Sequence, residues 1–467
     1  MAGRARCWQW RRLPSGSWRA TALGVGAVGG LALSTAAAAA ARTQPVDEHS
    51  GRWSWPEAAS AGSGARPRAK EIHEMSVAEL QQAMADGSAS TVEVTAHFLI
   101  RIRQLNGRLN AVVELNPDAL AIATRCDAER AAAARPLGPL HGICVLLKEN
   151  IDTSDRMLTT AGSLALLDSE PAADAVLVEQ LREAGAVILG KTNLSEWANF
   201  RSTASRSGWS ARGGQARNPF VLDRSPCGSS AGSGVALAAG LCTVAVGTET
   251  DGSIVCPAAL CGVVGLKPTV GLVSGAGIIP ISHSQDTAGP MARTVADAAA
   301  LLTVLAIGDG AHGGDYTTAL APADGLRGVR VGVVVPAQLG VSSPAAAAAC
   351  ENACAQMEQA GAVLVTVPRL CQPESEAEAK AAQASLDGHQ EIISQGEFDL
   401  LLWEFKHDLE AYLRTRRPRA GVVPPAALRP LDAAIPAFGT ETACPCPRGK
   451  GAAGRCLGRW PSSWLST

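Results

Sequence analysis

The chain has 467 residues, of which 47% are hydrophobic and 18% charged, with a net charge of -2. This balance supports a large core, in one large α/β domain or two smaller ones, and carries no signature of disorder. It offers no clustered basic face, so no nucleic acid is expected as a partner; small molecules or peptides are.

The N-terminus differs from the rest. Arg4, Arg6, Arg11, Arg12 and Arg19 precede an uncharged stretch, Ala20 to Ala41, that ends in a run of alanines with several A-x-A options. This pattern reads as an export signal over residues 1–41, and the adjacent Arg11 and Arg12 leave a twin-arginine route open. Its Ala and Gly content is too weakly apolar for a stable membrane span. Gly24, Gly26 and Gly29 fit a dinucleotide-site spacing, but no strand precedes them and the match is accidental. Residues 42–70, rich in Pro, Gly, Ser and Ala, read as a linker.

Further along, "GICVLLK" is an apolar strand ending in Lys148, a residue type seldom buried without a reason. Residues 172–193 read as an amphipathic helix, a stop at Gly185 and a strand "AVILG". "GVRVGVVVP" from Gly328 is another short strand, and the helix, "AGA", strand pattern returns over residues 345–367. The alternation predicts an α/β fold, a sheet with helices on its faces. Thirteen cysteines could build a disulfide framework, yet Cys144, Cys242, Cys256 and Cys261 sit in apolar runs and read as buried free thiols. No cysteine or histidine spacing resembles a zinc site, so no metal is expected.

Between these elements lies "SPCGSSAGSGVALAAG", Ser225 to Gly240. A linker would be polar on both sides, whereas this one runs into a very apolar segment. A phosphate loop needs a Lys and a Ser or Thr after its last glycine, and they are missing. Gly228 to Gly232 satisfies the G-x-S-x-G elbow with Ser230 as nucleophile, but the preceding "NPFVLDRSP" is no buried strand. What remains is a loop of small residues held against the core with its hydroxyls projecting. "GTETDGSI", Gly247 to Ile254, is a second such loop. Singly, Ser229 reads as a turn former, Ser253 as a helix cap and Lys148 as a strand end reaching for solvent.

Together, Lys148-Glu149-Asn150, Gly228-Ser229-Ser230, Thr250-Asp251-Gly252-Ser253 and "GVVGLKPT" from Gly262 to Thr269 resemble the amidase signature family over roughly residues 72–310, more weakly to about 436. The resemblance implies a large mixed β-sheet covered by helices on both faces, spanning 71–436. It implies a Ser-cisSer-Lys triad without a cofactor: Ser253 as acyl-enzyme nucleophile, Ser229 as the bridging serine on a cis peptide, Lys148 as base. The oxyanion hole would be the backbone N–H groups of Thr250, Asp251, Gly252 and Ser253. Glu249, Asp251 and Val255 stand where the family commonly has Asp, Gly and Arg, which separates the chain from the tRNA-dependent amidotransferase branch. The surrounding stretch is similar instead to the bacterial peptide amidase branch, whose members remove C-terminal amides from peptides. An aryl or aliphatic acylamidase, an esterase, or an exported binding protein retaining the fold are the alternatives. The family pattern has no catalytic histidine, so His141 and His283 read as structural or substrate-lining, and Asn193, Glu196 and Asp286 as structural supports.

Past "LWEFKHDLEAYLRTRRP" the composition breaks. Residues 437–467 hold Cys444, Cys446 and Cys456 with Trp460 and Trp464 and show no periodicity. They read as an atypical tail, with a shift of reading frame near Phe438 and a fold incomplete at its C-terminus. A sheet lacking strands predicts a poorly soluble or weakly active chain.

Overall fold

The computed structural model describes residues 70–132, 137–202, 204–306, 314–320, 325–334, 343–367 and 396–419. The expected export signal, linker residues 42–69 and tail lie outside them.

Two helices open the fold, α1 (Val77–Ala85) and α2 (Thr91–Leu109), each begun by a Ser-x-x-Glu capping box. In the second, Glu93 N–H donates to Ser90 Oγ (3.1 Å) while Ser90 N–H donates to Glu93 Oε2 (2.8 Å), so two of the helix's orphan donors are satisfied reciprocally. Val94, Phe98 and Ile102 recur at helical spacing and form the stripe that α2 buries.

There follow β1 (Val112–Leu115), α3 (Ala119–Ala132), β2 (Cys144–Lys148), β3 (Ser169–Glu170), α4 (Val176–Glu183), β4 (Val187–Thr192), β5 (Trp209–Ser210) and β6 (Gly214–Gln215). Then come α5 (Ala231–Ala238), β7 (Val244–Glu249), α6 (Val255–Cys261), β8 (Val264–Gly265), β9 (Thr287–Ala292) and α7 (Val295–Leu305). Beyond these lie β10 (Arg330–Val334), α8 (Pro344–Gln359), β11 (Val363–Val367), a helix over 396–413, here α9, and β12 (Arg417–Pro418). Gly185, at φ +75°, takes the left-handed turn that stops α4.

The main sheet has six strands in the order β1-β4-β2-β7-β9-β8. Its centre, β4-β2-β7, is parallel, and the flanking pairs are antiparallel. Every residue of β2, β4, β7 and β9 is buried whichever face it points to, so helices or loops cover both faces. That is why β2 reads as an apolar run up to Lys148, and β4 and β7 open on apolar residues. The second helix-strand repeat does not join this sheet: β10 and β11 form a separate parallel pair whose side chains are partly exposed. Helix α9 docks through Leu409 and Tyr412 on Ala161, Leu166, Leu194 and Ile279.

The thiol expectation needs correction at one position. Cys144, Cys242 and Cys261 are buried and free, but Cys256 forms a disulfide with Cys227. Cys256 stands near the start of α6, half-buried, so the apolar run around it misled: its side chain lies off the buried face formed by Pro257, Ala258 and Cys261 and meets Cys227.

Candidate active site

Ligand crevices in α/β sheets lie beyond the carboxyl ends of parallel strands, and there β2 and β7 end side by side on Lys148 and Glu249. Lys148 is fully buried. Its Nζ lies 2.7 Å from Ser229 Oγ, 2.7 Å from Thr248 Oγ1 and 3.0 Å from the Thr248 carbonyl oxygen. Asn150 Nδ2 donates to the same Thr248 hydroxyl at 3.0 Å. All three partners of the amine are uncharged oxygens. Burial therefore dominates and pulls the Lys148 pKa down to about 7, against the weaker upward pull of Asp286 and Glu249.

Ser229 follows the cis peptide bond Gly228–Ser229 and immediately precedes the residue that caps α5. A Cβ on Gly228 would lie 2.3 Å from Ser195 Oγ, so only glycine fits between the two loops. Ser195 N–H donates to the Ser229 carbonyl (3.1 Å), which fixes the loop from the β4 side. Ser230 points the other way: its hydroxyl donates to the Thr248 carbonyl (3.1 Å) and accepts from Thr248 N–H (3.2 Å). It is fully buried there, unlike an elbow nucleophile, which must face substrate.

The loop after β7 is shaped by Glu249, whose Oε2 accepts from Ile254 N–H (2.7 Å) and Val255 N–H (3.0 Å) at the start of α6. The carboxylate thus closes the turn from Thr250 to Ser253 from inside. Gly252, at φ +74° with open space where a Cβ would stand, supplies the left-handed residue this turn needs. Among the described residues, no backbone acceptor engages the N–H groups of Thr250, Asp251, Gly252 or Ser253. The loop is tied to the serine loop where Ser230 N–H donates to the Ser253 carbonyl (3.1 Å). From inside outward the order is Lys148 and Ser229, both inaccessible, then Ser253, which keeps 8% of its surface. Of the two serines, Ser253 is the one a substrate can meet.

A cleft of about 620 Å³ adjoins this centre, with Asn150, Thr248 and Thr250 on its wall. Sequence reasoning passed over two contributors to it and named a third. Thr248 and Asn150 stood inside the quoted motifs without a role. Asp286, expected to be a support, accepts from Thr250 Oγ1 (2.5 Å) and from the N–H groups of Ile281 (2.7 Å) and Ser282 (3.0 Å). Helix α9 walls the far side with Asp408 and Tyr412, and Asp408 accepts from His283 N–H (2.9 Å). His283 lines the cleft; His141 is buried and pairs with Glu129 at 2.9 Å, away from it.

Behind the site, Glu149 is fully buried and accepts from Thr160 Oγ1 (2.6 Å), Gly162 N–H (2.5 Å) and the Arg212 guanidinium, which also binds Glu114. Lys191 is a second fully buried lysine, drawn down to about 8 by burial and bonded to Thr159 Oγ1 (3.0 Å) and the Ile151 carbonyl. Among the described residues, two groups bring three metal-ligating side chains together: Cys126, Glu129 and His141, and His283, Glu404 and Asp408. In the first, His141 Nε2 is hydrogen-bonded to Glu129 Oε2 at 2.9 Å and an Arg130 guanidinium nitrogen lies 3.4 Å from His141 Nδ1; in the second, His283 Nδ1 is paired with Asp408 at 2.9 Å.

A buried, uncharged-leaning lysine against a serine, with a second serine beside an open backbone turn, defines a site equipped for nucleophilic attack on a carbonyl. The sequence profile described as Amidase matches residues 93–419, and the chain belongs to that family. The native peptide amidase of Stenotrophomonas maltophilia is similar in structure, with a TM-score of 0.63 and 52% identity over 74% of this chain and 69% of that one. A protein of Arabidopsis thaliana described as a probable amidase is 39% identical over 377 residues, 76% of this chain and 68% of that relative. A glutamyl-tRNA(Gln) amidotransferase component of Chloroflexus aurantiacus is 41% identical over 304 residues, 64% of this chain and 61% of that relative. The chain spans about half to two thirds of the length of the curated relatives it matches. No helix among the described residues is long and apolar enough to cross a membrane.

Proposed function

We propose that the chain is a serine amidase that hydrolyses linear carboxamides through an acyl-enzyme, with C-terminal amides of peptides as its substrates. The observation that carries this reading is Lys148 Nζ, buried and 2.7 Å from Ser229 Oγ. A serine hydroxyl is a weak nucleophile until a neighbour takes its proton, and a lysine does so only when neutral.

Ser253 Oγ attacks the carboxamide carbon, its proton passes to Ser229, and the Ser229 proton passes to Lys148. The oxyanion that forms faces the N–H groups of Thr250 to Ser253, where each donor is worth about 10² to 10³ in rate. Collapse expels ammonia, which takes its proton back along the same relay. Water, deprotonated through the same two groups, then releases the acid from Ser253.

The 52% identity to a peptide amidase supports the peptide substrate, and the departures at Glu249, Asp251 and Val255 argue against amidotransferase work. Export would bring the enzyme to peptides outside the cytoplasm; the arginine-led N-terminus and the Cys227–Cys256 disulfide favour that compartment. Ammonia release from an amidated dipeptide, compared with an anilide and an ester of the same acyl group, tests the substrate. The amide should be turned over fastest; preference for the anilide or ester would make the chain an acylamidase or esterase.

A further inference from the structure

We propose that the Cys227–Cys256 disulfide is a positioning clamp for the reaction, holding the two serine loops in register from the solvent side. The proposal rests on the amidase reading above. Cys227 directly precedes Gly228–Ser229, and Cys256 lies three residues after Ser253, so one covalent bond spans both loops.

The inner side of these loops is held by packing and hydrogen bonds: Ser229, Ser230 and Ser253 are buried, and Ser230 N–H reaches the Ser253 carbonyl at 3.1 Å. Their outer side has little of either. Asp223, Arg224 and Ser225 are exposed, with the buried Pro226 between them and Cys227, and Val255, Ala259 and Leu260 of the seven-residue helix α6 are exposed as well. Cys227 itself sits at φ +62°, a left-handed conformation that a side-chain-bearing residue adopts only when its surroundings impose it. Its Sγ is bonded to Cys256 Sγ, a covalent constraint that adds to the hydrogen bond its N–H donates to Ser225 Oγ (3.1 Å). Without the bond, Cys227 is free to relax to negative φ, and Gly228–Ser229 moves with it. Ser229 then leaves its 2.7 Å contact with Lys148, while the cleft wall contributed by Asn150, Thr248 and Thr250 stays where the sheet holds it. The clamp therefore acts on turnover and leaves substrate affinity nearly unchanged.

The test compares the oxidised full-length chain, the same chain reduced by dithiothreitol, and Cys227→Ser/Cys256→Ser. In the reduction, Cys227 and Cys256 each gain a hydrogen while the dithiol closes to its own disulfide. Ammonia release from an amidated dipeptide gives kcat and KM, alkylation and mass spectrometry count the thiols, and circular dichroism fixes the temperature below which each form stays folded. Reduction and the double substitution should each lower kcat by about 10- to 100-fold with KM within about threefold. Reoxidation should restore the natural chain, and dithiol should leave the double variant unaffected. If the double variant fails to fold, the reduced chain below its melting midpoint carries the same comparison. An unchanged kcat in the folded reduced chain, or a loss that follows the unfolded fraction alone, overturns the clamp. If the oxidised chain releases no ammonia and its Ser253 resists a fluorophosphonate, the amidase reading has failed and the clamp falls with it; an active, dithiol-indifferent chain sinks the clamp only.

Discussion

Acid should silence this enzyme by protonating Lys148, well before it unfolds the chain. Burial lowers the Lys148 pKa from its ordinary 10.5 to about 7. That corresponds to disfavouring the ammonium inside the site by about 5 kcal/mol relative to water. The neutral fraction is then about one half at pH 7, about one tenth at pH 6 and about one hundredth at pH 5. With an ordinary pKa, the neutral fraction at pH 7 would be about 1 in 3000, so burial raises the share of competent base by about 1500-fold, a gain that the weaker basicity of the amine partly offsets. The sign is fixed by the role: a base is active when deprotonated, so kcat/KM rises with pH and levels off above about 7. Ammonia release from an amidated dipeptide, measured from pH 5 to 9 in a constant-ionic-strength buffer, gives the profile, and circular dichroism at each pH verifies the fold. Asp286 pulls the amine upward, so Asp286→Asn should move the limb to lower pH, by about one pH unit or less. A plateau persisting to pH 5 in a folded enzyme, or a limb centred near 10, would refute a buried lysine base.

Other outcomes follow from the same geometry. Ser253→Ala and Lys148→Ala should abolish turnover, with Ser229→Ala keeping a small residue; a Ser230→Ala loss as deep as that expected of Ser253→Ala, with Ser253→Ala mild, would install the elbow serine instead. Arg212→Met should leave the Glu149 carboxylate buried and unpaired and cost about 3 to 5 kcal/mol in denaturant unfolding. Adding Glu149→Gln should return part of that loss, and an additive double variant would contradict the pairing. Gly232→Ala would place a Cβ 2.3 Å from the Ala111 carbonyl oxygen and 2.5 Å from Asn193 backbone atoms, an overpacking of about 1 to 3 kcal/mol or more, readable as a fall in melting midpoint.

The strands were legible because their signals are local; Lys148, Ser229 and Ser253 were singled out only through the resemblance of the combined motifs, each alone reading as a strand end, a turn former or a helix cap. An unbroken apolar run ending in lysine predicts a buried strand, and β2 is buried along its whole length, Lys148 included. Gly185 stops α4 as its position after an amphipathic run implies. Pairings across the fold were not legible. Cys227 and Cys256 are 29 residues apart in sequence, and only the packing of α5 and α6 beside β7 brings their Cα atoms to 6.0 Å. Lys191, in "GKTN", drew no reading from the sequence; the segment after β2 covers it with Ile151 and Thr159, a long-range event. Likewise β11 shares the helix-strand pattern of β4 yet, among the described residues, pairs only with β10, since periodicity states which face is apolar and not which sheet accepts it. The cleft wall on α9 depends on side chains more than 100 residues from the loop they touch: Asp408 meets His283 across 125 positions.

The central claim is that Ser253 is the nucleophile, served by Lys148 through Ser229. Treatment with a fluorophosphonate, followed by peptide mapping on a mass spectrometer, tests it most directly. The account predicts a single phosphonyl adduct on Ser253 in the natural chain, its disappearance in Ser253→Ala, its retention in Ser230→Ala, and its slowing in Lys148→Ala. An adduct on Ser230 or Ser229, or on no serine of an enzyme that still releases ammonia, would contradict it.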